Sequence, residues 1–251
     1  MVTTAISPAP GEQEPVAKIS AIGRVFGVFF SPGETFADIA QKPGWLAPIA
    51  IMTVLTIGLT FFLMPKVDWH AYMRSQMDKS PRTANLPDDQ KEAAVATQVK
   101  IAPVIGWVAA IVGVPIGALI FTLVYWGAFN VFKGAGLNFG TGFAIISHAL
   151  LPNALATILA GIVVFLKPAG ELTPDRLAVT SVGALLSSDA PKWLASLGSS
   201  LDLFWFWIMV LIAIGFAAAN PKKIKTGSAF TIVVGMWVVW VLLKVGLSTM
   251  F

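Results

Sequence analysis

Apolar residues run without an Asp, Glu, Lys or Arg through residues 46–64, 101–132, 134–166, 203–221 and 226–243. Each run is about as long as, or longer than, the ~20 residues a helix needs to cross the hydrocarbon core of a bilayer. Backbone groups in lipid need internal partners, and a helix supplies them within one segment. A membrane barrel would show alternating segments of about 10 residues instead. The pattern predicts an all-α fold: a polytopic membrane bundle of about five transmembrane helices, with amphipathic interfacial helices at its N-terminal end.

The same pattern divides the chain into three parts. Residues 1–16 open polar and Pro-rich, bury nothing and read as a disordered tail, and they have none of the basic and apolar regions of a cleavable signal peptide. Residues 17–44 carry amphipathic segments. Over 17–30, Ile19, Ile22, Phe26, Phe29 and Phe30 share a face, with Lys18, Ser20 and Arg24 largely elsewhere. Such a helix lies in the headgroup layer on its aromatic side or packs on the end of the bundle, and the two are compatible. Ser31-Pro32-Gly33-Glu34 reads as a capping box that starts a short helix bearing Phe36 and Ile39. Pro43-Gly44 ends it, and Trp45 stands at the mouth of the first span as an interfacial aromatic.

Residues 45–251 form the transmembrane part. The first span covers about 46–64 and stops at Pro65-Lys66. A polar loop follows, and Leu86-Pro87-Asp88-Asp89 starts a helix that runs into the second span and is expected to bend near Pro103. Gly113 and Gly117 in that span make a small-xxx-small pair suited to close helix packing. Gly134-Ala-Gly136 turns the chain into a third span that contains His148, Pro152 and Asn153. Over 167–200 the pattern is amphipathic, with Thr173 as a helix cap, an uncharged run at 177–188 too short to span, and a short surface helix at 189–197. Asp202 starts the fourth span, where Trp205 and Trp207 suggest an aromatic belt. A basic loop with Lys222, Lys223 and Lys225 leads to the fifth span. By the short-loop bias of Lys and Arg, the N-terminus is cytoplasmic and the C-terminus external.

Composition agrees. The chain has 251 residues, of which 56% are hydrophobic and 12% charged, against about 25% charged in soluble domains. Its net charge is +4, but the basic residues are dispersed near span ends. Anionic lipid headgroups therefore fit better than nucleic acid as the partner. With no cysteine, disulfides, thiolate metal sites and a Cys nucleophile are excluded.

Candidate chemistry is sparse. His148 is the single histidine inside a span, followed by Asn153, and Asn130 lies near one end of the second span. Polar groups at membrane depth are often functional. A proton relay, however, needs a partner acid, and no Asp or Glu lies within a span, so bonds to neighbouring helices or to carbonyls freed by Pro152 are favoured. Lys244 is expected to snorkel to the nearer interface. In the 65–100 loop, Asp68, His70 and Asp78 match no metal motif. No cofactor, metal site or catalytic set is expected.

Phe30-Ser31-Pro32, Thr35-Phe36, Ile39 and Lys42-Pro-Gly-Trp45-Leu-Ala-Pro48 resemble the segment that leads into the first span of prokaryotic Yip-family proteins. Gly134, Gly136, Phe139, Phe143 and Leu150-Leu-Pro152 resemble that family's central hairpin. The resemblance covers most of 24–247 and implies about five spans. Eukaryotic members interact with Rab-type GTPases and carry Asp-Leu-x-Gly-Pro before the first span. This chain reads Gln41-Lys-Pro-Gly-Trp-Leu-Ala-Pro48 there, which argues against a Rab partner and for the prokaryotic branch, in the cytoplasmic membrane. Two functions are carried forward. The first is a non-enzymatic protein that organises or remodels the membrane or scaffolds partners, including a second copy of itself. The alternative is a small-solute, proton or ion transporter using Asn130, His148 and Asn153.

Overall fold

The computed structural model describes residues 19–250 apart from 178, 188 and 189. The expected N-terminal tail, Lys18 and Asp189 fall outside the described residues. Ten α-helices are present among them: α1 (Ala21–Phe30), α2 (Pro32–Gln41), α3 (Leu46–Leu63), α4 (Trp69–Lys79), α5 (Asp88–Lys133), α6 (Phe139–Ala149), α7 (Pro152–Leu166), α8 (Lys192–Ser200), α9 (Leu203–Ala219) and α10 (Thr226–Met250). Short 3-10 turns lie at Met64–Lys66, Pro174–Arg176 and Val182–Leu185. The fold is all-α, with no strand among the described residues.

Four segments are long and apolar enough to cross a membrane: Leu46–Lys66, Asp88–Lys133, Phe139–Leu166 and Thr226–Thr249. The expected fourth span, α9, has 17 residues, about 26 Å at 1.5 Å per residue. It is the central helix of the bundle: Ile208, Leu211, Ile212 and Phe216 are essentially inaccessible. Surrounded by protein, α9 has little need to match the thickness of lipid.

The third span is two helices. A proline cannot donate an amide hydrogen, and its ring clashes with the carbonyl four residues back. Pro152 therefore starts α7 instead of continuing α6, and the His148 carbonyl, which a continuous helix would aim at Pro152, accepts the Leu151 N–H at 3.1 Å. The freed groups are re-paired within the turn, with Asn153 N–H on Leu150 O at 2.9 Å and Ala154 N–H on Leu151 O at 2.8 Å. By contrast, α5 remains helical through Pro103 and Pro115 over 46 residues, about 69 Å. That length exceeds any bilayer core, so its first half projects beyond the membrane and packs on α4.

Each end of the bundle is tied by named bonds. At one end, Lys223 Nζ donates to Gly134 O at 2.6 Å and Asn220 Nδ2 to Ala135 O at 2.8 Å. The turn after α5 and the basic loop after α9 thus share that end. Gly134 and Gly136 adopt positive φ of 56° and 65°, as a left-handed helix end requires. At the other end, Lys66 Nζ caps the last carbonyls of α7, Val164 at 2.6 Å and Lys167 at 3.1 Å, a favourable place for a cation. Asp202 starts α9 as expected, accepting from Phe204 and Trp205 N–H, and its second oxygen accepts the Thr180 hydroxyl at 2.5 Å.

Two local expectations shift. Ser31 does precede α2, but its hydroxyl makes no cap bond. The residue also closes α1, with its N–H on Gly27 O at 2.7 Å, so the tight α1–α2 turn sets its orientation. Thr173 likewise caps nothing with its side chain, because Pro174–Arg176 forms a 3-10 turn there. The short helix expected at 189–197 lies at Lys192–Ser200.

Candidate functional site

Helices α1 and α2 form a hairpin laid against the centre of the bundle. Val28, Phe36 and Ile39 have no accessible surface. Phe36 and Ile145 both reach Gly215 of α9, where an added Cβ would lie 3.1 Å from Phe36 and 2.5 Å from Ile145. Near the hairpin tip, Phe29 meets Trp207 edge to face at 5.4 Å. Gly215 and Trp207 are eight residues apart on α9, about 12 Å along its axis. The hairpin therefore runs beside α9 for roughly half its length. Within the hairpin, Gly27 lets the helices close, since a Cβ there would lie 2.4 Å from Thr35 Oγ1.

The outer face is apolar as well. Ile22, Phe26 and Phe30 are 68%, 61% and 83% exposed, which no water-facing helix requires and which a lipid-facing one favours. One charge pair clasps the hairpin base. Arg24 Nε donates to Asp38 Oδ2 at 2.7 Å, and Arg24 Nη1 to Lys42 O at 2.9 Å. Both side chains are about nine-tenths buried.

Beside this clasp a cavity of about 330 Å³ is lined by Arg24, Gly44, Trp45 and His148. His148 Nδ1 lies 2.9 Å from Ala144 O. A carbonyl only accepts, so Nδ1 carries the hydrogen and Nε2 is left as an acceptor. Arg24, read from sequence only as a polar-face residue, is thus the charged neighbour of His148. The one signal for this was a lone arginine in a helix otherwise rich in Val, Ile and Phe.

The other polar candidates are committed elsewhere. Asn130 closes the α5–α6 turn: its Nδ2 donates to Leu137 O at 3.2 Å and its Oδ1 accepts Leu137 N–H at 3.0 Å. Trp126 Nε1 adds a bond to the same carbonyl at 2.7 Å. Asn153 sits in the first turn of α7, where its backbone carbonyl accepts the Thr157 hydroxyl at 2.8 Å. The side chains of Asn130 and His148 therefore meet different main-chain carbonyls, those of Leu137 and Ala144, and the bond at Asn153 is made by its own main chain.

Of the interface candidates, Trp45 is 44% exposed and packs on Phe143 at 5.4 Å. Trp205 turns inward to Phe121 at 5.3 Å, and Trp207 to Phe29. Lys222 and Lys225 are exposed in the basic loop beside Lys223. A Cβ at Gly113 or Gly117 would meet nothing within 4 Å, so this pair packs against none of the described residues; close approaches fall elsewhere, among them at Gly27 and Gly215 and between the backbones of Gly183 and Gly198. No group of three or more His, Asp or Glu gathers among the described residues.

These features define a polytopic α-helical membrane protein with a helical hairpin seated on its central helix. A family model described as the Yip1 domain matches residues 26–247, and the chain belongs to that family. Among curated proteins it is similar to "Membrane protein YknW" of Bacillus subtilis (strain 168), 28% identical over 203 residues and covering 81% of each chain. No solved structure matches the chain.

Proposed function

We propose that the protein is non-enzymatic and organises or reshapes the membrane around it through the α1–α2 hairpin. The observation that carries this reading is the hairpin's pair of apolar faces. One is locked onto α9 and α6, and the other presents Ile22, Phe26 and Phe30 outward. A two-helix element that enters a bilayer without crossing it adds volume to one leaflet only, and that asymmetry favours curvature and lipid sorting. Fixing the hairpin to a span makes the insertion permanent, unlike a reversible amphipathic anchor.

Lys222, Lys223 and Lys225 favour the cytoplasmic side for the basic loop, and with five crossings the N-terminus shares that side and the C-terminus is external. Each lysine near an anionic leaflet adds about 1 kcal/mol of attraction. Gly113 and Gly117 leave a face of α5 on which a second copy or another membrane protein would pack.

The test is reconstitution of the wild type and a Phe26→Ser/Phe30→Ser variant at equal density, with vesicle size and protein clustering read by electron cryomicroscopy. The reading expects smaller or tubulated vesicles with the wild type and a return to protein-free dimensions in the variant. Identical vesicles from both proteins would remove its support.

A second reading, passage of protons or small solutes, draws on His148 beside the cavity at Arg24 and on the α6–α7 break. It predicts flux into proteoliposomes that His148→Ala abolishes. Equal leakage with and without the protein would exclude it for the solutes tested.

A further inference from the structure

At the end of the bundle opposite the basic loop, two cavities of contrasting chemistry meet. The first, about 300 Å³, opens sideways between α5 and α10 and is walled by Ile120, Val124, Trp205, Trp237 and Trp240. It exists because α10 packs along α8 and α9 while barely touching α5. Trp240 stands on its rim, 64% exposed towards the side where lipid lies. The second, about 850 Å³, is a polar vestibule between α4 and the 167–200 segment, with Ser75, Gln76, Lys79 and Glu171 among its walls. Ser199 and Lys244 line both cavities.

Lys244 is the junction. Its ammonium donates to Ser199 Oγ at 2.8 Å and Ser200 Oγ at 3.1 Å. No carboxylate pairs with it among the described residues. An ammonium held by two neutral hydroxyls at the mouth of an aromatic slot keeps its charge for an external anion. The lateral slot is of a size with small-ligand pockets, which begin at about 300 Å³. An apolar slot open to lipid, a cation at its polar end and a wet vestibule beyond match an amphiphile lying across all three.

Each hydroxyl donates its own hydrogen to Ser196 O at 2.9 Å, so the serines aim the ammonium and leave the anion to it. We infer that this junction is a binding site for one anionic phospholipid, with an acyl chain in the slot between α5 and α10 and the headgroup phosphate on the Lys244 ammonium. Entry is lateral, from the leaflet on the side of α4 and α8. The site is independent of the N-terminal hairpin, at the other end of the α10 helix from the basic loop.

The experiment is native mass spectrometry of the purified full chain in detergent, titrated with dioleoylphosphatidylglycerol, dioleoylphosphatidylcholine or oleate. The wild type is expected to bind one phosphatidylglycerol about tenfold more tightly than phosphatidylcholine, because both offer Lys244 a phosphate but the choline cation offsets the attraction. Lys244→Gln should bring that ratio close to one. Val124→Trp, which fills the slot from its lipid-facing wall, should weaken both phospholipids with the headgroup preference intact. Equal binding of the two phospholipids by the wild type, an undiminished preference in Lys244→Gln, or tighter binding of oleate than of phosphatidylglycerol would each overturn the assignment.

Discussion

Arg24 and Asp38 hold opposite arms of the hairpin in a setting with little water. Removing one partner of a buried pair leaves the other charge without compensation, a loss of about 3 kcal/mol. Asp38→Ala should therefore lower the stability of the detergent-solubilised protein by about that amount. The double variant Arg24→Gln/Asp38→Ala should lose clearly less than the sum of the two single changes, as a thermal or denaturant unfolding cycle will show. Gly27 gives a steric counterpart: Gly27→Val drives a side chain into Thr35 and should cost about 1–3 kcal/mol by overpacking. Gly113→Ala and Gly117→Ala should be near neutral in a monomer, because a methyl group there enters open space.

These glycines also mark the limits of reading packing from spacing. Gly113 and Gly117 have the small-xxx-small interval, but that interval says only that a helix is able to approach, not that one does. Gly27 and Gly215 stand at the same interval from Gly23 and Ala219, and their importance depends on which helix folds back onto them. Proline and turn chemistry were legible, because Pro152 and Gly134 act on their own neighbours. Arg24 facing His148 was not, since 124 positions separate them and only tertiary structure joins them.

At the scale of elements, α4 and the projecting half of α5 form a water-exposed pair held by charge. Lys91 Nζ donates to Asp78 at 2.8 Å and to Ala84 O at 2.7 Å. Arg74 bonds Asp88 at 2.5 Å and lies 3.5 Å from Asp78. The hydrogen bond from Lys91 outweighs desolvation and, with smaller help from the charges of Lys91 and Arg74, holds the Asp78 carboxyl below its ordinary value of 3.8. A carboxyl depressed in the fold contributes stability that is complete above its ordinary value. That contribution is lost as pH falls through the lower value set by the fold. Amide hydrogen exchange across α4 should therefore be unchanged from pH 7 down to about pH 5, after correction for intrinsic rates, and should accelerate below about pH 4. In Asp78→Asn the acceleration should be smaller. A flat profile below pH 4 in the wild type would show that packing alone holds the pair.

The elements themselves were largely readable from the apolar runs and their breakers. The start of α5 at Asp88, the turn at Gly134 and the start of α9 at Asp202 fall where the sequence places them. The hairpin's seat beside α9 was beyond that reading. The amphipathic pattern of residues 17–41 marks two apolar faces, but whether such a face meets lipid, protein or both is settled by Gly215 and Trp207, far away in the chain.

At the scale of the whole molecule, α9 organises the fold: α2, α6, α7 and α10 gather on it, and α5 extends from the bundle as a long arm. The lipid-facing surface comes mainly from α3, α5 and α10, and the hairpin adds an apolar wedge near one leaflet. The two ends differ in kind. One is a compact set of turns with lysines, and the other is a larger polar cap of α4, α8 and the first half of α5. Such asymmetry suits a protein that acts differently on the two leaflets.

The depth of the hairpin decides whether this description of the molecule holds. The chain has no cysteine, so single cysteines at Phe30, at Lys223 and at Ala195, which is exposed on α8, can carry a nitroxide without background. Electron paramagnetic resonance in liposomes would then compare access to oxygen with access to a water-soluble nickel chelate. The account predicts that a label at position 30 is oxygen-accessible and shielded from nickel, with labels at 223 and 195 open to nickel at the two opposite surfaces. A label at position 30 as open to nickel as the one at 223 would place the hairpin in water and contradict it.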